Sequence, residues 1–189
     1  MKIGLYFGSF NPIHHGHLIV ASHVLQNEDV DQVWFVVSPQ NPFKKEHALL
    51  NEYHRLHLTR LAIDGEPGFR VTDIEFKLSR PSYTIDTLEK LDEKYPGFDF
   101  SIIMGSDSFQ NIDKWKRAND ILVHRRIFVY ERSGFSVRYD IKGEIIVCKA
   151  PMMNISASLV RNIIGRGQSI RYYVPEKVME EIERGNYYR

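Results

Sequence analysis

Cysteine, long apolar runs and excess charge are all nearly missing from this chain, and each absence narrows what it does. One cysteine in 189 residues excludes a disulfide within the chain. Cys148 ends the run Glu144-Ile145-Ile146-Val147-Cys148, where a buried structural thiol is expected rather than a nucleophile. No apolar stretch approaches the ~20 residues of a bilayer-crossing helix. Met1-Lys2 leads directly into a short apolar run, so neither a span nor a secretory signal is expected, and the cytoplasm is the expected compartment. With 25 basic and 24 acidic residues the net charge is +1, which gives no general electrostatic case for polymeric nucleic acid or a membrane surface. Any anion site must therefore be local. Repeats, low-complexity tracts and a linker are absent as well. A hydrophobic share of 43% is ordinary for a globular protein, and the length predicts one domain over 1–189, with a helical subregion from about 155 to 189.

What is present is alternation. Apolar runs of strand length occur at 3–7, 33–38, 69–74, 98–104, 126–130 and 143–149, with helical patterns such as 18–25 and 51–63 between the early ones. Asn51 is a plausible N-cap for the second of these helices. The pattern predicts an α/β chain: a Rossmann-like, doubly wound, mostly parallel sheet with a small C-terminal helical appendage.

The stretch Gly8-Ser9-Phe10-Asn11-Pro12-Ile13-His14-His15-Gly16-His17 joins the first strand to the first helix. A strand-to-helix turn aims backbone N–H groups and a helix N-terminus at one spot, which suits an anion. Gly8 removes a side chain where a ligand would approach the backbone. If the helix starts near Ile13, His14 and His17 share a face. Phosphoryl transfer needs positioning and hydrogen-bond donors more than covalent help, and two imidazoles with backbone amides supply that. A metal site is the rival reading of His14 and His17, but no third ligand lies nearby, so no metal site is assigned.

Four further stretches leave alternatives open. Lys44 and Lys45 lie on a loop after the second strand, where they either reach a triphosphate or are simply solvated. Gly105-Ser106-Asp107 is another turn at a strand end, where Asp107 accepts hydrogen bonds from a ribose or caps a short helix. Trp115, between two lysines, either stacks on an aromatic acid or packs under a surface helix. Ser156, Ser158 and Arg161 open a helix, as a second phosphate grip or as a cap with a solvent-facing arginine.

The HxGH element His14-His15-Gly16-His17 resembles the nucleotidyltransferase superfamily that shares it with class I aminoacyl-tRNA synthetases. The longer string GSFNPIHHGHL, the segment Ser82-Tyr83-Thr84-Ile85-Asp86-Thr87-Leu88, the element from Ile155 to Arg161 and the tail from Ile170 to Val178 are together similar to bacterial nicotinate-mononucleotide adenylyltransferases. The likeness runs from residue 2 to about 188. Ser9, Asn11 and Ala157 depart from the family's usual Thr, Asp and Ser, and Ala157 removes one hydroxyl contact. The resemblance implies adenylyl transfer from ATP to nicotinate mononucleotide, giving deamido-NAD and pyrophosphate. It implies that His14 and His17 touch the reacting phosphates, and that Lys44 and Arg161 hold the departing ones. Gly8, Ser9, Phe10, Gly105, Asp107, Arg132, Ser156 and Ser158 would bind ATP, while Tyr83, Thr84 and Trp115 would border the nicotinate. Mg²⁺ would arrive bridging the phosphates of ATP, since the chain shows no carboxylate cage. The tail would close over the site. Acceptors such as nicotinamide mononucleotide, phosphopantetheine, FMN or glycerol phosphate, and a non-catalytic nucleotide sensor, are the alternatives.

Overall fold

The structure, a computed structural model, describes residues 1–40, 49–138 and 140–189. Lys44 and Lys45 lie outside the described residues. Among the described residues six strands form one sheet: β1 (Lys2–Gly8), β2 (Gln32–Val37), β3 (Phe69–Thr72), β4 (Asp99–Gly105), β5 (Ile127–Tyr130) and β6 (Ile145–Cys148). Their spatial order is β3-β2-β1-β4-β5-β6, and every pairing is parallel, which sharpens the expected "mostly parallel".

The strands read as continuous apolar runs because both faces are buried, as in all-parallel sheets. Alternate side chains serve different cores. Tyr6, Phe35, Ile103 and Phe128 face one layer, with Val20 and Val24 of α1 (His15–Asn27), Leu58 of α2 (Glu52–Ile63), Val160 of α6 (Ala157–Gly165) and Val178 of α7 (Glu176–Arg184). Leu5, Trp34, Ile102 and Val129 face the other, with Leu88 of α3 (Thr84–Lys94), Phe109 of α4 (Ser106–Phe109) and Ile121 of α5 (Ala118–His124). After β1 the chain winds outward through β2 and β3, then crosses back so that β4 pairs with the other side of β1. That reversal leaves a crevice beyond the carboxyl ends of β1 and β4, where open α/β sheets take ligands.

Two boundaries and the placing of the tail differ from expectation. The third strand stops at Thr72 because Ile74–Lys77 turns as a 3-10 helix, with the Thr72 hydroxyl accepting the Ile74 N–H at 3.3 Å. The first helix begins at His15, not near Ile13, because extended His14 is its N-cap. The C-terminal appendage does not close over the crevice. Among the described residues it reaches the crevice through Ser156, Ala157, Ser158 and Arg161 at the start of α6, while α7 docks on α2, burying Val178 and Ile182 and pairing His57 with Glu181 at 3.7 Å. The appendage is tied to the first helix by the Tyr173 carbonyl, which accepts the His15 N–H at 2.9 Å.

Candidate active site

The turn after β1 is held from several directions. Phe10 adopts a left-handed φ of 42°, uncommon for an aromatic residue and a mark of a constrained turn. Its ring folds back over Gly8, where an added Cβ would lie 2.8 Å from it. The bare Gly8 therefore makes room for the Phe10 ring, a packing reason the sequence did not show. Asn11 is buried; its Oδ1 accepts the Leu50 N–H at 3.2 Å and its carbonyl accepts Arg161 Nη1 at 2.7 Å.

The histidines meet through the helix cap. The His14 backbone N–H donates to His17 Nδ1 at 3.2 Å, and the two rings stack with centroids 3.6 Å apart. An accepting Nδ1 leaves the proton of a neutral His17 on Nε2, the donor a phosphate oxygen requires. Burial, then the Arg132 guanidinium and His15, push the His14 pKa down to about 3. His14 is thus a neutral imidazole, with its Nδ1 buried and unpartnered among the described residues. The intervening glycine has a steric reason: a Cβ on Gly16 would lie 3.0 Å from His14 Nδ1.

Opposite the histidines stand the ends of β4 and β5. Gly105 is the N-cap of α4, so Asp107 lies inside the first turn rather than capping it. Asp107 pairs with Arg132 at 3.4 Å, and Gly105 lets both approach, since its Cβ would sit 2.4 Å from Asp107 Oδ1. Ser106 Oγ accepts the Arg132 N–H at 2.9 Å and donates to the Phe135 carbonyl at 2.7 Å. Beneath them Tyr6 donates to the Tyr130 hydroxyl at 3.0 Å, and burial pushes both phenols up, so the pair is neutral.

Ser156 caps α6 by accepting the Leu159 N–H at 3.1 Å. Arg161 does not point to solvent: it bridges Ser158 Oγ at 3.2 Å and the Asn11 carbonyl, clamping the α6 terminus to the β1 turn. Across the crevice, Tyr83 is the N-cap of α3 and Thr84 its first residue. Lys116 sits 4.9 Å from the Tyr83 ring centroid and is held by Asp86 at 2.8 Å. Trp115 is half-buried against the core and also lines the crevice.

A cavity of about 500 Å³ gathers all of these groups. Gly8, Ser9, Phe10, His14, His17, Tyr83, Thr84, Gly105, Asp107, Trp115, Arg132, Ser156, Ser158 and Arg161 line it, which is every site residue expected from sequence that lies among the described residues. A second cavity of about 300 Å³, walled by residues 131–133 and 150–156, shares His14, His17, Tyr6, Asp107 and Arg132 with the first. The two compartments meet at the histidine pair. Among the described residues no group of three or more His, Cys, Asp or Glu lies together to hold a metal ion, and no helix is long and apolar enough to cross a membrane.

Two buried charges escaped the sequence reading. Arg55 is fully buried and donates to the carbonyls of Leu50, Ser9, Ser38 and Pro39. Its signal was an arginine on the helix face that carries Leu58 and Thr59. Glu75 is 2% exposed and also lines the larger cavity. Its only signal was a carboxylate within an apolar stretch just before a hydroxyl-rich one.

A cytidylyltransferase-like family model matches residues 5–163. The chain is 45% identical over its whole length to a protein of Flavobacterium psychrophilum named a probable nicotinate-nucleotide adenylyltransferase, and the match covers all of that protein. It is 46% identical to a Cytophaga hutchinsonii protein of the same name, over 100% of this chain and 98% of the other. Among solved structures, nicotinic acid mononucleotide adenylyltransferase of Plasmodium falciparum complexed with NaAD superposes with a TM-score of 0.80. At 21% identity over 99% of this chain and 97% of that one, this likeness speaks for the fold.

Proposed function

The chain belongs to the cytidylyltransferase-like family and, within it, to the nicotinate-nucleotide adenylyltransferases, and from that premise we infer how its cavity performs the reaction. It transfers the adenylyl group of ATP to nicotinate mononucleotide, giving nicotinate adenine dinucleotide (deamido-NAD) and pyrophosphate. An oxygen of the acceptor's 5′-phosphate forms a bond to the α-phosphorus of ATP in line. The bond from that phosphorus to the bridging oxygen breaks, and its electron pair leaves with pyrophosphate. The nucleophile is already ionised at neutral pH, so neither a general base nor a covalent enzyme intermediate is required; proximity and oriented donors carry the acceleration.

The observation that carries this reading is the meeting of two compartments at the stacked His14–His17 pair. We place the pyridine against Tyr83, Thr84 and Trp115 in the larger compartment, and the adenosine toward Arg132 and Ser156 in the smaller. The reacting phosphates then fall at the histidines. His17 Nε2–H and the amides of Ser9 and Phe10 donate to them, and Asp107 and Gly105 border the nucleotide. Arg161, already turned inward by Asn11 and Ser158, holds the leaving pyrophosphate with Lys44. Ala157 leaves both flanking serines in place on the cavity wall. Mg²⁺ is read as arriving with ATP as part of the substrate, where it would neutralise charge on the phosphates; Asp107 on the wall is paired with Arg132. The helical region from about 155 is read as part of one catalytic domain, because Arg161 and Tyr173 bond it to the first turn and helix. The expected compartment is the cytoplasm, with its supply of ATP.

Pyrophosphate release with ATP and Mg²⁺ tests the reading, with nicotinate mononucleotide, nicotinamide mononucleotide, phosphopantetheine and FMN compared as acceptors. Release with the nicotinate substrate alone is expected. Preference for any other acceptor overturns the pyridine assignment, and ATP binding without release from any acceptor overturns the enzyme.

A further inference from the structure

Glu75 is a buried carboxylate with no cation paired to it among the described residues. What surrounds it instead are hydroxyls from three separate segments. Ser82 Oγ donates to Oε2 at 2.8 Å and Thr87 Oγ1 donates to Oε1 at 3.0 Å, and the Ser38 side chain stands near enough to oppose the rise in its pKa. Hydroxyl donors on both oxygens favour the ionised carboxylate, which accepts at either oxygen without a proton of its own. Burial raises the Glu75 pKa, and the three hydroxyls oppose the rise.

The three segments are the ones that shape the acceptor side of the cavity. Ser82 and Thr87 bracket Tyr83 and Thr84, and Ser38 follows the last residue of β2. Ser38 is itself fixed to the phosphate turn. Its N–H donates to the Gly8 carbonyl at 2.9 Å, and its carbonyl accepts Arg55 Nη1 at 2.8 Å, the same nitrogen that takes the Ser9 carbonyl at 2.5 Å. Glu75 is thus bonded to the residues flanking the Tyr83–Thr84 wall and lies beside Ser38, which Arg55 bonds to the Ser9 carbonyl.

We propose that Glu75 is a positioning residue for the acceptor nucleotide: it holds the Tyr83–Thr84 wall at a set distance from the phosphate turn, and so aligns the acceptor phosphate with ATP. The proposal rests on the assignment of that wall to nicotinate mononucleotide. A Gln at 75 keeps the shape but removes the charge and leaves one acceptor oxygen in place of two, so the hydroxyl facing its N–H₂ must turn and accept, and the wall is held less firmly. Displacements of about an ångström in a positioned substrate change rates and affinities by an order of magnitude or more.

The test is a split of Michaelis constants. Glu75→Gln, Ser82→Ala and Tyr83→Ala are compared with the parent protein, with melting temperatures alongside. Glu75→Gln is expected to raise KM for nicotinate mononucleotide about tenfold or more while KM for ATP stays within about twofold. Ser82→Ala is expected to show the same split more weakly, and it decides the matter by the same criterion if Glu75→Gln does not fold. A drop in melting temperature with both constants unmoved, or an equal rise in both, overturns the positioning role. If Tyr83→Ala raises the acceptor KM and neither Glu75→Gln nor Ser82→Ala does, the wall assignment stands and the role of Glu75 falls. If Tyr83→Ala itself leaves the acceptor KM unchanged, the assignment of the wall is wrong and the proposal goes with it.

Discussion

The backbone N–H of His14 is bonded to Nδ1 of His17, and the rings of the two residues stack face to face. One helix cap thus sets both the tautomer of His17 and the place of its ring. The Nε2–H is presented without choosing between two protonation patterns. Removing it in His17→Ala is expected to lower kcat by about 10²- to 10³-fold, the range for one lost donor to transition-state charge. The melting temperature should hardly move, because the ring is only partly buried. A kcat within a few-fold of the parent, in steady-state pyrophosphate release, removes His17 from the reacting centre.

His14 carries a pH signature of its own. Its pKa falls from 6.5 unfolded to about 3 folded. Between those values the unfolded chain binds a proton that the folded chain refuses. Stability therefore rises with pH across this window and is lost as pH is lowered, by up to about 1.4 kcal/mol per unit. Glu75 works the other way. Its raised pKa gives stability that is present at low pH and lost as pH rises through the folded value. Comparing slopes between variants separates the two. Denaturant unfolding at several values from pH 7 to pH 4.5 should show a shallower acid slope in His14→Gln than in the parent. Parallel slopes mean that His14 is not buried as a neutral ring.

Much of this architecture was legible in the chain, and the illegible parts share a cause. Apolar runs at β1, β2 and β4 marked a sheet buried on both faces, and the spacing of His14 and His17 marked a pair at a helix start. Strand-end turns at Gly8 and Gly105 marked two parts of the cavity wall. Glu75 and Arg55 gave weak signals because their partners are hydroxyls and carbonyls scattered from Ser9 to Thr87, which periodicity does not encode. Phe10 filling the space over Gly8 depends on one positive φ. The docking of α7 on α2, rather than over the crevice, depends on tertiary contacts such as His57–Glu181, and an amphipathic tail helix alone does not name its partner.

Gly16→Ala separates site geometry from stability. Alanine is the better helix former by about 1 kcal/mol, so propensity alone predicts a slightly more stable protein. The new Cβ would stand 3.0 Å from His14 Nδ1 and 3.1 Å from its Cε1. The His14 ring, buried and stacked on His17, must yield by a few tenths of an ångström. The expected outcome is a fall in kcat of about tenfold or more, with a melting temperature close to the parent's. An active Gly16→Ala enzyme makes the His14 ring free to shift without consequence.

Arg55 is the last test, and it turns on charge and shape together. Its guanidinium is fully buried, and its Nε, Nη1 and Nη2 satisfy four carbonyls: Leu50, Ser9, Ser38 and Pro39. Burial lowers its pKa, yet a guanidinium remains charged at any physiological pH. Arg55→Met removes the buried charge and strands the four carbonyls, for an expected loss of about 3–5 kcal/mol. Arg55→Lys keeps the charge, but a single ammonium has three donors at one point and does not span carbonyls that the planar fork reaches from separate nitrogens. It also leaves a strongly hydrated charge in a dry site. Lysine is therefore expected to rescue neither stability nor activity, and to destabilise at least as much as methionine. Full recovery in Arg55→Lys, by chemical denaturation and turnover, would show that positive charge alone is required there, and that the fork does not set the geometry of the phosphate turn.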